Sequence, residues 1–171
     1  APIGNISAPI TGALAEGKHT VHMKAEDFAH NSFSVDWWFF VDTAKPSAPG
    51  TITAAEASDQ PKPQFTWTAA TDTGYASGDL DTETGSGIGS YVAEIYSAGE
   101  MVRGPYTIDG AATSWMLPDA LTADGQYQFK LWAVDRAGNR SEAASEHTYT
   151  LDTAKPTLDN EAPTGYIRVT N

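Results

Sequence analysis

The sequence contains no cysteine, so neither disulfide bonds nor thiolate metal ligands contribute to its fold. No apolar run approaches the roughly 18 residues that a membrane-spanning helix needs. Basic residues are few, because 10 lysines and arginines stand against 22 aspartates and glutamates, for a formal charge of −12. This balance excludes nucleic acid as an expected partner, since its phosphates require a basic face. It favours a surface that repels neighbouring copies, and it leaves calcium open as a counter-ion.

The sequence also lacks the patterns that carry catalysis. It has no nucleophile elbow, no phosphate-binding glycine pattern and no recognisable order of histidine, carboxylate and serine. His19 and His22 lie three residues apart on a predicted strand, so they point to opposite faces and do not chelate one metal together. We therefore expect no catalytic residues, no zinc and no cofactor other than calcium.

What the chain does contain is an internal repeat. The phrase Asp-Thr-Ala-Lys-Pro at 42–46 returns at 152–156, 110 residues later. Residues 17–31 align without gaps on 125–139, with the opening glycine, an alanine and an Asp-x-Ala-x-Asn turn in common. A repeat of about 100 residues is too long for a solenoid, whose units run to about 20–50 residues. The repeat therefore predicts tandem all-β domains.

Short alternating runs of β-branched and aromatic residues, separated by Gly, Pro, Asn and Asp, predict an antiparallel β-sandwich. No segment sustains a 3.6-residue period. In the complete module we place strands near 50–57, 62–69, 88–98, 101–109, 113–117, 125–135 and 144–152.

Two local patterns support the sandwich. Trp67 is expected to point into the core from the second strand. Leu121 lies six residues before Tyr127 across a polar turn, a spacing typical of a tyrosine corner. On the sixth strand, residues of period two share one face: Tyr127, Phe129, Leu131 and Ala133.

Four phrases carry a resemblance to a known family. Residues 65–72, 86–91, 121–127 and 133–141 together resemble a bacterial fibronectin type III-like module. The closing Leu-Asp-Thr-Ala-Lys-Pro is similar to the end of bacterial immunoglobulin-like repeats of large surface proteins. The resemblance covers about 48–153 well and 17–46 in its trailing half. It implies a β-sandwich in a secreted or cell-surface protein, an architecture that serves many functions.

The repeat divides the chain into three parts. Residues 1–43 are expected to be the trailing half of an Ig-like module, 44–153 a complete module, and 154–171 a linker with the first strand of a following module. A sheet as small as that in 1–43 does not close a sandwich core. Three explanations are open: the chain is a piece of a longer protein, another chain adds the missing strands, or the two ends complete each other.

The strongest site candidate is the acidic loop 71–87. It contains Asp72, Asp79, Asp81 and Glu83, and alternate carboxylates in a glycine-rich loop suit a calcium ion. The loop departs from the EF-hand pattern at the positions of its glycine and its final glutamate. A solvated acidic insertion is the alternative interpretation.

The Asp-x-Ala-x-Asn turns offer a second place for a cation. In Asp27–Asn31 and Asp135–Asn139 the side chains are expected to cap backbone amides, as Asp and Asn do in turns. The alternative is calcium at a domain junction, with Asp42 or Asp152 joining from the linker. A lysine beside each junction opposes that alternative.

The run from 35 to 41 is rich in aromatic residues. On a strand Trp37, Phe39 and Val41 are expected to face inward, which leaves Trp38 and Phe40 on the outer face. Large outward aromatics indicate burial against something. The candidates are a neighbouring strand or module, a partner protein, or a sugar that stacks on the rings.

Trp132 is a second outward aromatic. We expect it either to stack across the sheet on Tyr96 or to join a partner interface with Trp38 and Phe40.

The predicted function is structural and adhesive: a semi-rigid rod of a secreted or cell-surface protein that spaces and presents a binding region. Prolines in the linker 44–49 fix φ and restrict hinge motion. The expected partners are neighbouring modules, with another protein chain or a surface glycan as further partners. The alternatives are an accessory linker module of an extracellular hydrolase, and a surface-filament or surface-layer protomer completed by strands from another chain.

Overall fold

The computed structural model describes residues 11–73 and 86–157, and its regular structure in these ranges is β-strand. No helix in the described ranges is long and apolar enough to span a bilayer. The predicted strand at 166–169 lies outside the described residues. The strands are β1 (Gly17–Glu26), β2 (Ser32–Val41), β3 (Ile52–Thr53), β4 (Ala57–Ser58), β5 (Gln64–Trp67), β6 (Ile88–Ser97), β7 (Glu100–Asp109), β8 (Ser114–Met116), β9 (Gly125–Asp135) and β10 (Ser145–Leu151).

Eight strands, β3 to β10, form two sheets. One has five strands in the order β4-β10-β9-β6-β7, and the other has three in the order β3-β5-β8. Aromatic residues join the two sheets: the rings of Phe65 and Phe129 stack at 4.0 Å between centroids, and Trp67 meets Tyr91 edge-on at 5.3 Å. The predicted antiparallel β-sandwich is confirmed.

Alternation along β9 decides which side chains enter the core. Gln126, Gln128 and Lys130 lie outside, while the residues between them are buried. The predicted inward set, Tyr127, Phe129, Leu131 and Ala133, is 7%, 1%, 0% and 0% exposed, and Trp67 is 5% exposed. Strand period two therefore located the core correctly.

Six of the seven predicted strands lie within two residues of the observed ones, and the first is wrong. A single strand at 50–57 does not exist, because the chain changes sheet inside it. Ile52–Thr53 pairs antiparallel with β5, whereas Ala57–Ser58 pairs parallel with β10. A continuous strand cannot pair with both layers of a sandwich, so residues 54–56 cross between them.

The predicted tyrosine corner is confirmed. The Tyr127 hydroxyl donates to the Ala123 carbonyl at 2.7 Å. Leu121 is 5% exposed, and its amide donates to the Pro61 carbonyl at 2.9 Å. The corner fixes the entry of the chain into β9.

β1 and β2 form a separate antiparallel hairpin that precedes the sandwich. It ends at Val41, and the linker 42–50 leads from it into β3. The functional candidates lie on this hairpin and where it meets the module.

Candidate functional site

The hairpin is built like the β9-β10 pair of the module. Gly17 pairs with Val41 and His19 with Phe39. At the aligned positions Gly125 pairs with Leu151 and Tyr127 with Tyr149. The repeat in the sequence is therefore a repeat of strand register.

The two Asp-x-Ala-x-Asn turns share one hydrogen-bond network. In the hairpin, Asp27 Oδ1 accepts from the Asn31 amide at 2.9 Å and Oδ2 from Asn31 Nδ2 at 2.8 Å. Asp135 accepts from the amide and Nδ2 of Asn139 in the same way, both at 2.8 Å. These bonds hold the pKa of Asp27 below its ordinary value, with the Asn31 side chain as the main cause. The predicted capping role is confirmed.

The same turns require a residue with positive φ. His30 adopts φ 64° in the first copy, and Gly138 adopts φ 98° in the second. Glycine reaches this region without steric cost, whereas histidine does not. The side chain of His30 bonds Glu26 through Nδ1 at 2.9 Å, which offsets part of that cost.

A corner like that of Tyr127 exists in the hairpin, where it was not predicted. His19 Nε2 lies 2.7 Å from the Ala15 carbonyl, four residues earlier, as the Tyr127 hydroxyl does with Ala123. The signal was present, because the gapless alignment places His19 on Tyr127. The imidazole of His19 takes the place of the phenol in this corner.

The strand exits also correspond. Glu16 accepts from the amide and hydroxyl of Thr43, and Asp124 accepts from those of Thr153. In each pair, the acidic side chain joins the residue after the second strand (β2 or β10) to the residue before the first strand (β1 or β9) by hydrogen bonds.

The hairpin and the β9-β10 pair differ in how far their side chains are buried. Trp37, expected to face inward, is 70% exposed, and Met23 on the same face is 49% exposed. The expectation of burial for Trp37 is wrong in the described chain, because no second sheet among these residues covers that face. Its counterpart in β10, His147, instead lies edge-on to the core ring of Phe65 at 6.3 Å.

Trp38 and Phe40 lie on the opposite, more polar face. They are 59% and 45% exposed and meet edge-on at 5.5 Å. Lys18 lies over the Trp38 ring at 5.2 Å. Their role in a partner interface stays a prediction.

Trp132 does not stack on Tyr96. Trp132 lies opposite Val92, and Tyr96 lies opposite Gln128, so the two aromatics are about 13 Å apart along the strands. The Arg140 guanidinium covers the Trp132 ring at 4.0 Å instead, and Lys130 lies over the Tyr96 ring at 5.2 Å. Cations from neighbouring positions therefore cover both outward rings.

The linker is attached to the module along its length. Pro46 and Pro49 are buried. The Ser47 amide donates to the Thr71 carbonyl at 2.8 Å, and the Gly50 amide donates to the Thr68 carbonyl at 2.8 Å. A Cβ on Gly50 would lie 2.6 Å from Thr68 Cβ, so this approach requires glycine.

Further contacts hold the two ends of the linker. Lys45 forms an ion pair with Glu142, and the Ser145 hydroxyl donates to the Pro49 carbonyl. Asn139 Nδ2 donates to the Asp42 carbonyl at 3.0 Å. The turn that closes β9 thus also holds the residue that follows the hairpin.

Asp42 brings a carboxylate into the module. Its Oδ2 accepts from the Ser86 amide at 2.8 Å, and its Oδ1 accepts from the Ala44 amide at 3.2 Å. Two further carboxylates lie beside it: Asp72 and Asp135 each offer an oxygen that, with one of Asp42, falls within 4.8 Å of the others. We call these three residues the junction triad.

The junction triad is poorly compensated. Asp72 is 7% and Asp135 3% exposed. No lysine or arginine in 11–73 or 86–157 forms an ion pair with the triad, although Arg136 extends beside Gly87. The structure thus brings three carboxylate oxygens together, and no lysine or arginine of the described ranges is paired with them.

Of the four residues of the predicted acidic-loop site, the structure describes only Asp72. Asp72 is a buried member of the junction triad, where its Oδ2 accepts from the Gly87 amide at 2.8 Å. Asp79, Asp81 and Glu83 lie outside the described residues. A junction site is only an alternative at the level of sequence, because nothing in the linear order brings residue 72 beside residues 42 and 135.

The chain is similar to several known proteins. No family model matches the sequence. The chain is 30% identical over 151 residues to Exoglucanase B of Cellulomonas fimi. The aligned region covers 84% of this chain and 12% of that protein. A crystal structure of several titin domains superposes with a TM-score of 0.52 at 19% identity, covering 78% of this chain and 39% of that one. Domains d3 and d4 of the rat CD45 extracellular region give 0.48 at 15% identity, covering 84% and 68%.

The titin comparison concerns the fold alone. With the strand order described above, it confirms the resemblance to fibronectin type III and immunoglobulin-like β-sandwiches. The chain spans about an eighth of the length of the curated relative, so that protein's activity does not transfer with the similarity.

Proposed function

We propose that this chain is a non-catalytic junction segment of a secreted or cell-surface multidomain protein, which holds successive β-sandwich modules at a fixed spacing. The observation that carries the proposal is the attached linker. Between Asp42 and Gly50 the chain is joined to the module by backbone hydrogen bonds, buried prolines and an ion pair.

Such a linker behaves differently from a free one. A glycine- and serine-rich linker samples many conformations, whereas proline fixes φ and stiffens the chain. Here both prolines are also buried, and Gly50 is packed against Thr68. A rotation of the hairpin about this linker would have to break those contacts, which supports a semi-rigid rod.

We infer that the hairpin is the closing pair of strands of a preceding module. It has the register, corner and turn network of β9-β10. Its apolar face, which includes Met23 and Trp37, corresponds to the core face of that pair. An isolated two-stranded hairpin is only marginally stable in water, so this face needs a covering sheet.

The relative favours one type of parent protein. Exoglucanase B aligns over most of this chain. This supports an accessory segment of an extracellular glycan hydrolase over an adhesin or a surface filament. Strand completion by another chain would instead produce an oligomer when residues 1–171 are purified.

Amide relaxation measured by NMR tests the fixed spacing. We expect the hairpin and module amides of the 171-residue chain to report one rotational correlation time. Replacing Pro46 and Pro49 by glycine should give the hairpin a shorter one, while the module keeps its own. Separate correlation times in the unaltered chain would contradict the proposal.

A further inference from the structure

We propose that the junction triad, Asp42, Asp72 and Asp135, binds a calcium ion that joins the end of the hairpin to the module. The inference depends on the carboxylate geometry and stands independently of the proposed function. Its three ligands come from the linker, from the segment after β5 and from the end of β9. The ion would therefore bridge parts of the chain that are distant in sequence.

The spacing of the oxygens fits one ion. Calcium binds oxygen at about 2.3–2.6 Å, so two ligands on opposite sides of an ion are about 5 Å apart. The three ligand atoms of the triad fall within 4.8 Å of one another. All of them therefore reach a common centre without a large rearrangement.

A second observation points to a missing partner. Asp72 is only 7% exposed, and its Oδ1 has no hydrogen-bond partner among the described residues. Its Oδ2 already accepts from Gly87 and Ser86. A buried carboxylate oxygen without a donor is costly, and a cation supplies the missing interaction.

The hydrogen bonds of the other two members leave ligand capacity. Each carboxylate has about four lone-pair sites. Asp42 uses two of them for the Ala44 and Ser86 amides, and Asp135 uses two for Asn139. These bonds orient the carboxylates and leave lone pairs for the metal, as outer contacts do in metal sites.

The ligand chemistry selects the metal. The triad offers oxygen alone, so it is unsuited to zinc, which prefers histidine and cysteine. Magnesium demands near-ideal octahedral geometry and keeps most of its water, usually with one or two carboxylates. Three carboxylates from separate segments suit the larger and more flexible coordination sphere of calcium.

Titration calorimetry of the 171-residue chain with calcium chloride tests the proposal. We expect a single site with Kd on the order of 10⁻⁴ to 10⁻³ M, the range of extracellular calcium modules. Asp72→Asn should weaken binding by at least about 10-fold, as disturbed metal sites commonly do. Asp42→Asn should do the same, and it tests the site if the buried Asp72→Asn variant fails to fold.

The repeat provides matched controls. Asp152 corresponds to Asp42, and Asp27 corresponds to Asp135. Asp152→Asn and Asp27→Asn should leave calcium affinity unchanged. Absence of calcium binding, or equal losses in these controls, would overturn the proposal. So would a loss of binding in Asp79→Asn with Asp81→Asn while Asp42→Asn binds normally, because the ion would then occupy the acidic loop.

Discussion

The β1-β2 hairpin and the β9-β10 pair have the same register and turn network and differ in burial. Leu131 in β9 is fully buried, whereas its counterpart Met23 is 49% exposed. The difference arises from the three-stranded sheet β3-β5-β8, which covers one pair and not the other. Local sequence thus specifies turn, corner and pairing, while long-range packing decides whether the pair contributes a core.

The largest expected effect comes from Leu131, compared with its aligned position Met23. Leu131→Ala should lower the free energy of unfolding by about 2–5 kcal/mol, because it leaves a cavity between the sheets. Met23→Ala should change it by less than about 0.5 kcal/mol, since that side chain is 49% exposed and lies outside the core of the module. Urea unfolding followed by circular dichroism measures both. Equal losses would show that the hairpin face is buried in the 171-residue chain.

A second comparison concerns the two turn asparagines. Asn139→Ala should lower the free energy of unfolding by about 1–3 kcal/mol, because Nδ2 donates to both Asp135 and the Asp42 carbonyl. Asn31→Ala should lower it by less than about 1 kcal/mol, since Asp27 is exposed and can bond water. The same unfolding assay checks this, and a larger loss for Asn31→Ala would contradict the role of the second turn at the junction.

A smaller effect is expected at the corners. Tyr127→Phe removes the hydroxyl donor to Ala123 and should lower the free energy of unfolding by about 0.5–1.5 kcal/mol. His19→Phe removes the equivalent bond of the hairpin and should leave the unfolding of the module unchanged. Thermal melting followed by the NMR signals of the indole N–H groups of Trp67 and Trp115, both in the module, separates the two. A loss of module stability in His19→Phe would couple the two regions more tightly than their contacts indicate.

The smallest expected effect is the pH dependence of the linker ion pair. Hydrogen bonding to Lys45 lowers the pKa of Glu142 below its ordinary value of 4.5. A lowered carboxyl pKa means that the pair stabilises the linker above about pH 4.5 and that this is lost as pH falls through the folded pKa. Lys45→Met should therefore raise the Glu142 pKa toward 4.5, measured by carboxyl ¹³C NMR. An unchanged pKa would show that the pair does not form in solution.

Sequence patterns predicted what depends on near neighbours. Period two located the core face of β9, and the gapless repeat predicted both turns. Sequence patterns failed where the surroundings of a residue are set by segments distant in the chain. The split of 50–57 between two sheets, the exposure of Trp37 and the cover of Trp132 by Arg140 all depend on which element lies opposite.

The junction triad shows the same limit. Each of its residues has a local role that a sequence motif suggests, such as the turn of Asp135. Their convergence depends on the linker lying against the module, which no motif encodes. The buried, unpartnered Oδ1 of Asp72 becomes visible only when that packing is known.

The central claim, a fixed junction between hairpin and module, is tested most directly by a distance between two spin labels. Because the chain has no native cysteine, Lys18→Cys and Thr107→Cys can be labelled selectively. We predict a single narrow distance distribution, which broadens when Pro46 and Pro49 are replaced by glycine. A broad distribution in the chain with both prolines, in a sample whose hairpin cross-strand contacts are intact by NMR, would contradict the account.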